Sequence, residues 1–461
     1  MKRVIFSALL IVGFAAASEQ SVINRVLHSY NIKTNRAFEF NATKSGKGYD
    51  ITVSSHNPAL KEIINTKFMH IDVDEGPIVT TPEFTLAKAG LSAKGSFFDF
   101  FAPEAVADIN KSLKEKIKYN YEGIVSFGGE LKEKFSIAPI DNITDRDVTF
   151  SSSGLKVKST TDLETLKGTT TIELEHLTVN DKSTNGEATL KDLKVENRIT
   201  EKPIDSILLF GNTSFKVKEF NFKAHNVNKP INAKITLNMG SSIKKVDKEF
   251  LNGEFNLELK ALDAKTIALL QGVQSSKLNI LFKNFGTQGS LEFLKLSKEL
   301  QEINAKMAAA SKSGNDIELQ KAIIESTDMA NSLVPIVNKL LIKDKSGFKI
   351  DWQLHSTKES FVKIDLLYKG EPLSGNNMQS AFISLMAQQL TLVDGNFDIA
   401  LERSLIVKMN PLSILFLDML KQKGFISVKD SVYRVKGALK GGKIILKGKA
   451  YTIEELTKAL F

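Results

Sequence analysis

Apolar side chains recur at every second position along most of this chain, and that rhythm limits what it can fold into. Phe38, Phe40 and Ala42 alternate with Glu39 and Asn41. After the turn-forming Ser45-Gly46-Lys47-Gly48, Tyr49, Ile51 and Val53 continue the pattern. It returns at Tyr119, Tyr121, Val125 and Phe127, then at Ile172-Leu174, Leu193-Val195, Phe215-Val217, Phe220-Phe222, Ile231-Ala233-Ile235-Leu237 and Phe255-Leu257-Leu259. Lys, Glu, Thr or Asn fills the opposite face in nearly every case. Successive side chains of a strand point to opposite faces, so this pattern specifies antiparallel strands with one face buried and one in water.

The rhythm changes between about residues 291 and 341. Phe293, Leu296, Leu300, Ile303, Met307 and Ala310 recur at steps of three and four, the stripe of an amphipathic helix. Asn315 followed by Glu318 has the form of a capping box, and a second stripe runs through Leu319, Ile323, Ala330, Leu333 and Val337. Pro335 should kink that helix or start a new turn. Strands resume at Phe348–Leu354 and Val362–Leu366, and a short helix is expected from Gln379 to Gln389. Asn410-Pro411 should start a helix that is apolar almost all round through Leu420, is closed by Gly424, and is therefore expected to be buried. Three strands and a final helix over Thr452–Leu460 complete the body. The expected fold class is α+β and β-dominated: long antiparallel, twisted or curved sheets, an αα-hairpin insertion near 291–341 and a few covering helices.

The first eighteen residues read differently. Met1-Lys2-Arg3 precedes an uncharged run from Val4 to Ala17, and Ala15-Ala16-Ala17-Ser18 supplies small residues suited to signal peptidase. This is the layout of a secretory signal peptide, and an uncleaved N-terminal anchor shares it. The expected organisation is therefore a signal or anchor over 1–18, a strand-rich region over 19–203 and a strand-rich region with the helical hairpin over 204–461. The expected location is periplasmic.

Composition excludes several chemistries. The chain has no cysteine, so disulfides, thiolate metal sites and cysteine nucleophiles are ruled out. The net charge is +9 and rests on fifty-five Lys against seven Arg. Nucleic-acid readers rely on the guanidinium fork, so this surface reads as solvated and no nucleic-acid partner is expected. No G-x-S-x-G elbow, phosphate-binding loop or dinucleotide glycine motif occurs, and no two of the six histidines stand at zinc-ligand spacing. No catalytic, cofactor-binding or metal-binding residues are assigned.

Two stretches have an unusual local composition. His70-Ile71-Asp72-Val73-Asp74 puts His70, Asp72 and Asp74 on one strand face at intervals of roughly 6.6–6.8 Å, too far apart for neighbours to share a metal. The wet face of a strand running into a Gly-Pro turn is the favoured reading. Phe97-Phe98-Asp99-Phe100-Phe101 places four phenylalanines in five residues. They suit either an apolar contact ridge for a lipid or partner or, more often, a strand buried on both faces that enters a helix at Pro103.

The chain resembles the YdgA-like family of bacterial envelope proteins, a family of unknown function. The likeness rests on the basic-then-apolar N-terminus, the strand ending in Glu75-Gly76-Pro77, the hairpin Gly424–Tyr433 and the closing strand Lys440–Lys449. The family often has His-Gly-Pro at the first turn; Glu75 replaces that His, which argues against a catalytic role for it. Lys447 stands where the family usually has Asn. The resemblance implies an envelope protein at or near the inner membrane that self-associates. The function expected is a non-enzymatic scaffold or an apolar groove for a lipid or another envelope protein. The alternative is a carboxylate-based hydrolase acting on a cell-wall or envelope polymer. An outer-membrane barrel is disfavoured by the helical hairpin.

Overall fold

Alternation becomes pairing in the computed structural model, which describes residues 19–34, 38–55, 64–74, 78–80, 85–104, 107, 116–126, 128–145, 147–224, 231–374, 378–410 and 412–460. The chain divides into two compact units. One holds the residues up to Ser183 with Asp192–Leu209, and the other holds Thr184–Lys191 with everything from Phe210 on. Both are built of antiparallel strands, so the expected β-dominated α+β class is what the chain adopts.

The first unit begins with helix α1 (Glu19–Lys33), followed by β1 (Phe38–Ser45), β2 (Gly48–Ser55), β3 (Lys67–Asp74), β4 (Ile78–Thr80), β5 (Thr85–Ser96), β6 (Lys118–Ser126), β7 (Glu130–Ile137), β8 (Ile140–Asp145), β9 (Val148–Ser152), β10 (Leu155–Asp162) and β11 (Gly168–Asp181). Its ladder runs β1, β2, β3, β5, β6, β7, β10, β11, with β8 and β9 continuing β7 and β10 beyond a kink. The inner face is the apolar phase of the sequence: Tyr49, Ile51, Ile71, Val73, Leu91, Tyr119, Tyr121, Val125 and Leu131. Helix α1 lays Val22, Ile23, Val26 and Leu27 onto that face, a stripe at helical spacing.

Phe97–Phe100 forms a 3-10 turn rather than the expected strand. Asp99 and Ser96 close it as a capping box, with Asp99 Oδ2 accepting from the Ser96 amide at 3.2 Å. A 3-10 turn fans its side chains around an axis, so successive rings need not alternate between two faces. Phe100 is buried and stacks between Phe68 and Tyr119, each with ring centroids 4.6 Å away. Phe97, Phe98 and Phe101 are half-buried. Phe97 and Phe98 pack on a second cluster formed by Ile117, Ile140 and Ile143.

Strand β12 (Gly186–Ile204) contributes residues to both units, and the first two residues of the strand after it, Leu208 and Leu209, belong to the first. The second unit contains β13 (Leu208–Ala224), β14 (Ile231–Lys245), β15 (Phe250–Ala261), α2 (Ala264–Leu269), β16 (Ser275–Gly286), α3 (Thr287–Ser313), α4 (Asp316–Asn331), α5 (Leu333–Leu340), β17 (Gly347–His355), β18 (Glu359–Tyr368), α6 (Met378–Gln388), β19 (Val393–Glu402), α7 (Arg403–Met409), α8 (Leu412–Gln422), β20 (Ser427–Lys429), β21 (Val432–Lys440), β22 (Lys443–Leu446), β23 (Lys449–Tyr451) and α9 (Ile453–Leu460). From β14 to β19 every strand pairs with its predecessor, and β21 then extends the open ladder.

The helical hairpin is present as expected. Asn315 Oδ1 caps α4 by accepting from the Glu318 amide at 3.2 Å, and Pro335 lies in the first turn of the separate helix α5. The stripes are partly displaced. Leu296, Ile303 and Ala310 are buried, but Phe293 is 46% exposed; on α4, Ala322 is buried while Ile323 faces outwards. Helix α8 also departs from expectation. Asn410 Oδ1 accepts from the Leu412 amide and Gly424 closes the helix in the left-handed region, but only Ile414 is fully buried. Leu412 and Leu415 are more than two-thirds exposed.

Two-residue turns with positive φ at both positions close the last hairpins: Asp430-Ser431, Gly441-Gly442 and Lys447-Gly448. Such turns match the right-handed twist of the flanking strands and favour Asn-Gly. Lys447 holds φ +49 with a Cβ that disfavours it. Lys447→Asn is therefore expected to stabilise the second unit by about 0.5–1 kcal/mol, read as a higher urea midpoint at unchanged slope.

Candidate functional site: a lysine-rimmed cleft and two buried carboxyl groups

Strand register assembles a cleft on the outer face of the first unit. Lys94 on β5 faces Asn120 on β6, Asn120 faces Ser136 on β7, and Ser136 faces Lys156 on β10. One row across four strands thus carries two lysines and two small polar groups. Lys116 and Lys118 flank it, and Ile137, Ala138 and Pro139 provide an apolar wall. The cleft measures about 810 Å³. It opens where β7 and β10 bend away at Ala138-Pro139 and Ser153-Gly154. Pro139 brings no amide hydrogen to the ladder. Gly154 has φ +86, and a Cβ there would sit 2.4 Å from the Ile137 carbonyl oxygen, so only glycine fits.

The rim is strongly cationic. Lys156 pairs with Glu175 at 3.2 Å, but Lys94, Lys116 and Lys118 have no carboxylate partner among the described residues. No acidic side chain among the described residues lines the cleft. Asn120 Nδ2 donates to Glu122 Oε1 at 3.1 Å, while its Oδ1 is buried without a hydrogen-bond partner among the described residues. This arrangement suits an anion with an apolar body. Its lining holds no pair of acids for glycosidic cleavage among the described residues.

Behind the same strands, α1 covers a buried polar cluster. Glu133 on β7 occupies the apolar phase between Leu131 and Phe135 and is 7% exposed. Tyr121 Oη donates to its Oε1 at 2.9 Å, and Tyr30 Oη lies 3.3 Å from Tyr121 Oη. Burial pushes the Glu133 carboxyl up to about 8, against the hydrogen bond from Ser159. Lys33, at the end of α1, donates to Ser159 Oγ at 3.3 Å and to Thr161 Oγ1; burial lowers its ammonium to about 8. The cluster is enclosed beneath a helix, so it fastens α1 to the sheet.

The second buried carboxyl group behaves oppositely. Glu402, at the end of β19, is 5% exposed, and desolvation alone would raise its pKa. The hydroxyls of Ser356, Thr357 and Ser404 and the Lys358 amide all donate to it, and together they bring it down to about 2. It pins the β17–β18 turn to the start of α7.

His70 lies in neither site. Register places Asp50 opposite it, and His70 Nδ1 meets Asp50 Oδ1 at 2.6 Å, with Asp72 3.6 Å from Nε2. All three are exposed, and the His70 hydrogen bond, then that from Ser45, lowers the Asp50 pKa. This is the wet strand face that the alternation implies. No group of three or more His, Asp or Glu that could hold a metal occurs among the described residues. The turn Glu75, Gly76, Pro77 lies outside the described residues. An acid-bearing groove of about 480 Å³ lies between α3 and α4, where Lys306 pairs with Glu325 at 3.1 Å.

Neither the cleft nor the partners of the buried carboxyl groups can be identified from sequence, because residues far apart along the chain build them. One signal is legible: an acid at Glu133, in phase with Leu131 and Phe135.

The two open ladders define an antiparallel, β-dominated α+β protein. The chain belongs to a family of bacterial proteins of unknown function (DUF945), whose pattern matches residues 68–454. No curated protein and no solved structure matches it.

Proposed function

We propose that this is a non-enzymatic protein of the bacterial envelope whose lysine-rimmed cleft binds an amphipathic anion, an acyl chain ending in a carboxylate or phosphate. The observation that carries this reading is the cleft itself: an apolar wall, three lysines without carboxylate partners and no acid in the lining among the described residues. The exported layout of residues 1–18 and the YdgA-like motifs support an envelope location. In this reading the acyl chain lies along Ile137 to Pro139. Lys94 and Lys118 take the head group.

The test uses dodecanoate and its neutral counterpart dodecanol, followed by calorimetry. Lys94→Glu combined with Lys118→Glu should weaken dodecanoate by at least about tenfold, since each charge-assisted contact contributes around 1 kcal/mol or more. Dodecanol binding should stay unchanged. Equal binding of dodecanoate to both proteins would remove the cleft from consideration. Native mass spectrometry of the purified protein should also show an acyl-bearing anion retained by the parent and lost from the variant.

A further inference from the structure

Helix α8 is anchored by one face and bare on the other. Ile414 is buried, and Leu417 and Leu420 pack against the cluster of Phe425, Tyr433 and Leu446. Leu412, Leu415 and Phe416, at relative positions one, four and five, share the opposite face and are 73%, 70% and 45% exposed. Val407 on α7 is exposed, and so is Leu269 at the end of α2. The α7 residue Lys408 donates through Nζ to the Gln271 carbonyl at 2.7 Å, which brings the end of α2 next to α7. Several exposed apolar side chains thus belong to the helices that leave the second unit's strands at α2, α7 and α8.

Its charge is one-sided. Arg403, Lys408, Lys421 and Lys423 are all exposed along α7, α8 and their flanks. Asp418 is the single acid from residue 403 to residue 423, and it accepts a hydrogen bond from Tyr433 Oη at 2.6 Å. Exposed aliphatic and aromatic tips, with Lys423 on their side and an excess of cations along α7 and α8, match the interfacial zone of a bilayer with anionic head groups. A second copy of the same surface fits poorly, because a two-fold contact would set cations against cations.

We propose that the α7–α8 end of the second unit docks on an anionic lipid surface, with Leu412, Leu415 and Phe416 entering the head-group layer. The docking is independent of the cleft and stands whether or not the cleft binds an acyl anion.

The absence of cysteine gives a local test in the full chain. Leu415→Cys, carrying an environment-sensitive fluorophore, should shift its emission to the blue when vesicles of phosphatidylcholine with phosphatidylglycerol are added. Pure phosphatidylcholine vesicles should leave it unchanged. Adding Lys421→Gln and Lys423→Gln to the labelled chain should weaken partitioning roughly 10–30-fold. The same fluorophore at Ile317→Cys, on the 82% exposed tip of α4, should stay unshifted. No shift at position 415 overturns the proposal. So does an equal shift at 317, which marks non-specific adsorption. A shift without vesicles that grows with protein concentration also overturns it, in favour of self-association.

Discussion

Replacing Glu133 with Gln is expected to remove the fall in the first unit's stability that the parent protein shows between pH 4.5 and about 8. The folded protein keeps the Glu133 proton up to about 8, whereas an unfolded chain releases it near 4.5. The contribution is therefore complete below pH 4.5 and is lost as pH rises through the folded value, by up to about 1.4 kcal/mol per pH unit. Lys33 has the opposite sign. Its pKa falls from 10.5 to about 8, so its contribution is present above 10.5 and is lost as pH falls towards 8. Together the two buried groups place a stability minimum near pH 8, on the order of 4 kcal/mol below the value at pH 4.5. Glu133→Gln keeps an acceptor for Tyr121 and abolishes the descending limb; Lys33→Met abolishes the ascending one. Hydrogen exchange of the α1 amides at pH 5 and pH 8 reads the effect where it arises. If the variant and parent showed the same pH slope, the carboxyl group would be ionised in the folded state and this account would fail.

Glu402→Ala is expected to cost the second unit about 3–5 kcal/mol, because three hydroxyls and an amide lose their shared acceptor inside the fold. The parent should also weaken in acid. A carboxyl group whose pKa drops from 4.5 to about 2 supplies stability that is present above 4.5 and lost as pH falls through 2. That loss is on the order of 3 kcal/mol in the parent and absent from the variant. Trp352, the only tryptophan, lies on β17 and donates through Nε1 to Ser276 Oγ at 2.9 Å. Its emission therefore follows this unit selectively. Parallel acid titrations of parent and variant would show that Glu402 is not the group responsible.

The strands are legible in the sequence because a hairpin is a local object. Phe40 opposite Val53 and Ile350 opposite Ile364 follow from alternation and a short turn. The helical hairpin is legible for the same reason, through Leu296, Ile303 and Ala310. Sequence reasoning fails where burial depends on what lies above an element. The composition of α8 gives no sign that Leu415 faces outwards, and a run of phenylalanines gives no sign that Ser96 and Asp99 will wind it into a 3-10 turn. Helix α1 escapes the sequence reading although Val22, Ile23, Val26 and Leu27 carry its stripe. The cleft is out of reach because Lys94 and Lys156 become neighbours only through two intervening strands. Spacing along the chain encodes one strand's face and says nothing of its third neighbour.

The order of strands in the second unit has a kinetic consequence. From β14 to β19 each strand pairs with the one before it, but β17 reaches β16 only across the roughly sixty residues that hold α3, α4 and α5, the longest closure in that ladder. In the first unit β7 meets β10 across only the short β8–β9 hairpin. Refolding of the second unit should therefore show its slow phase in the emission of Trp352, the indole on β17, as that strand joins β16.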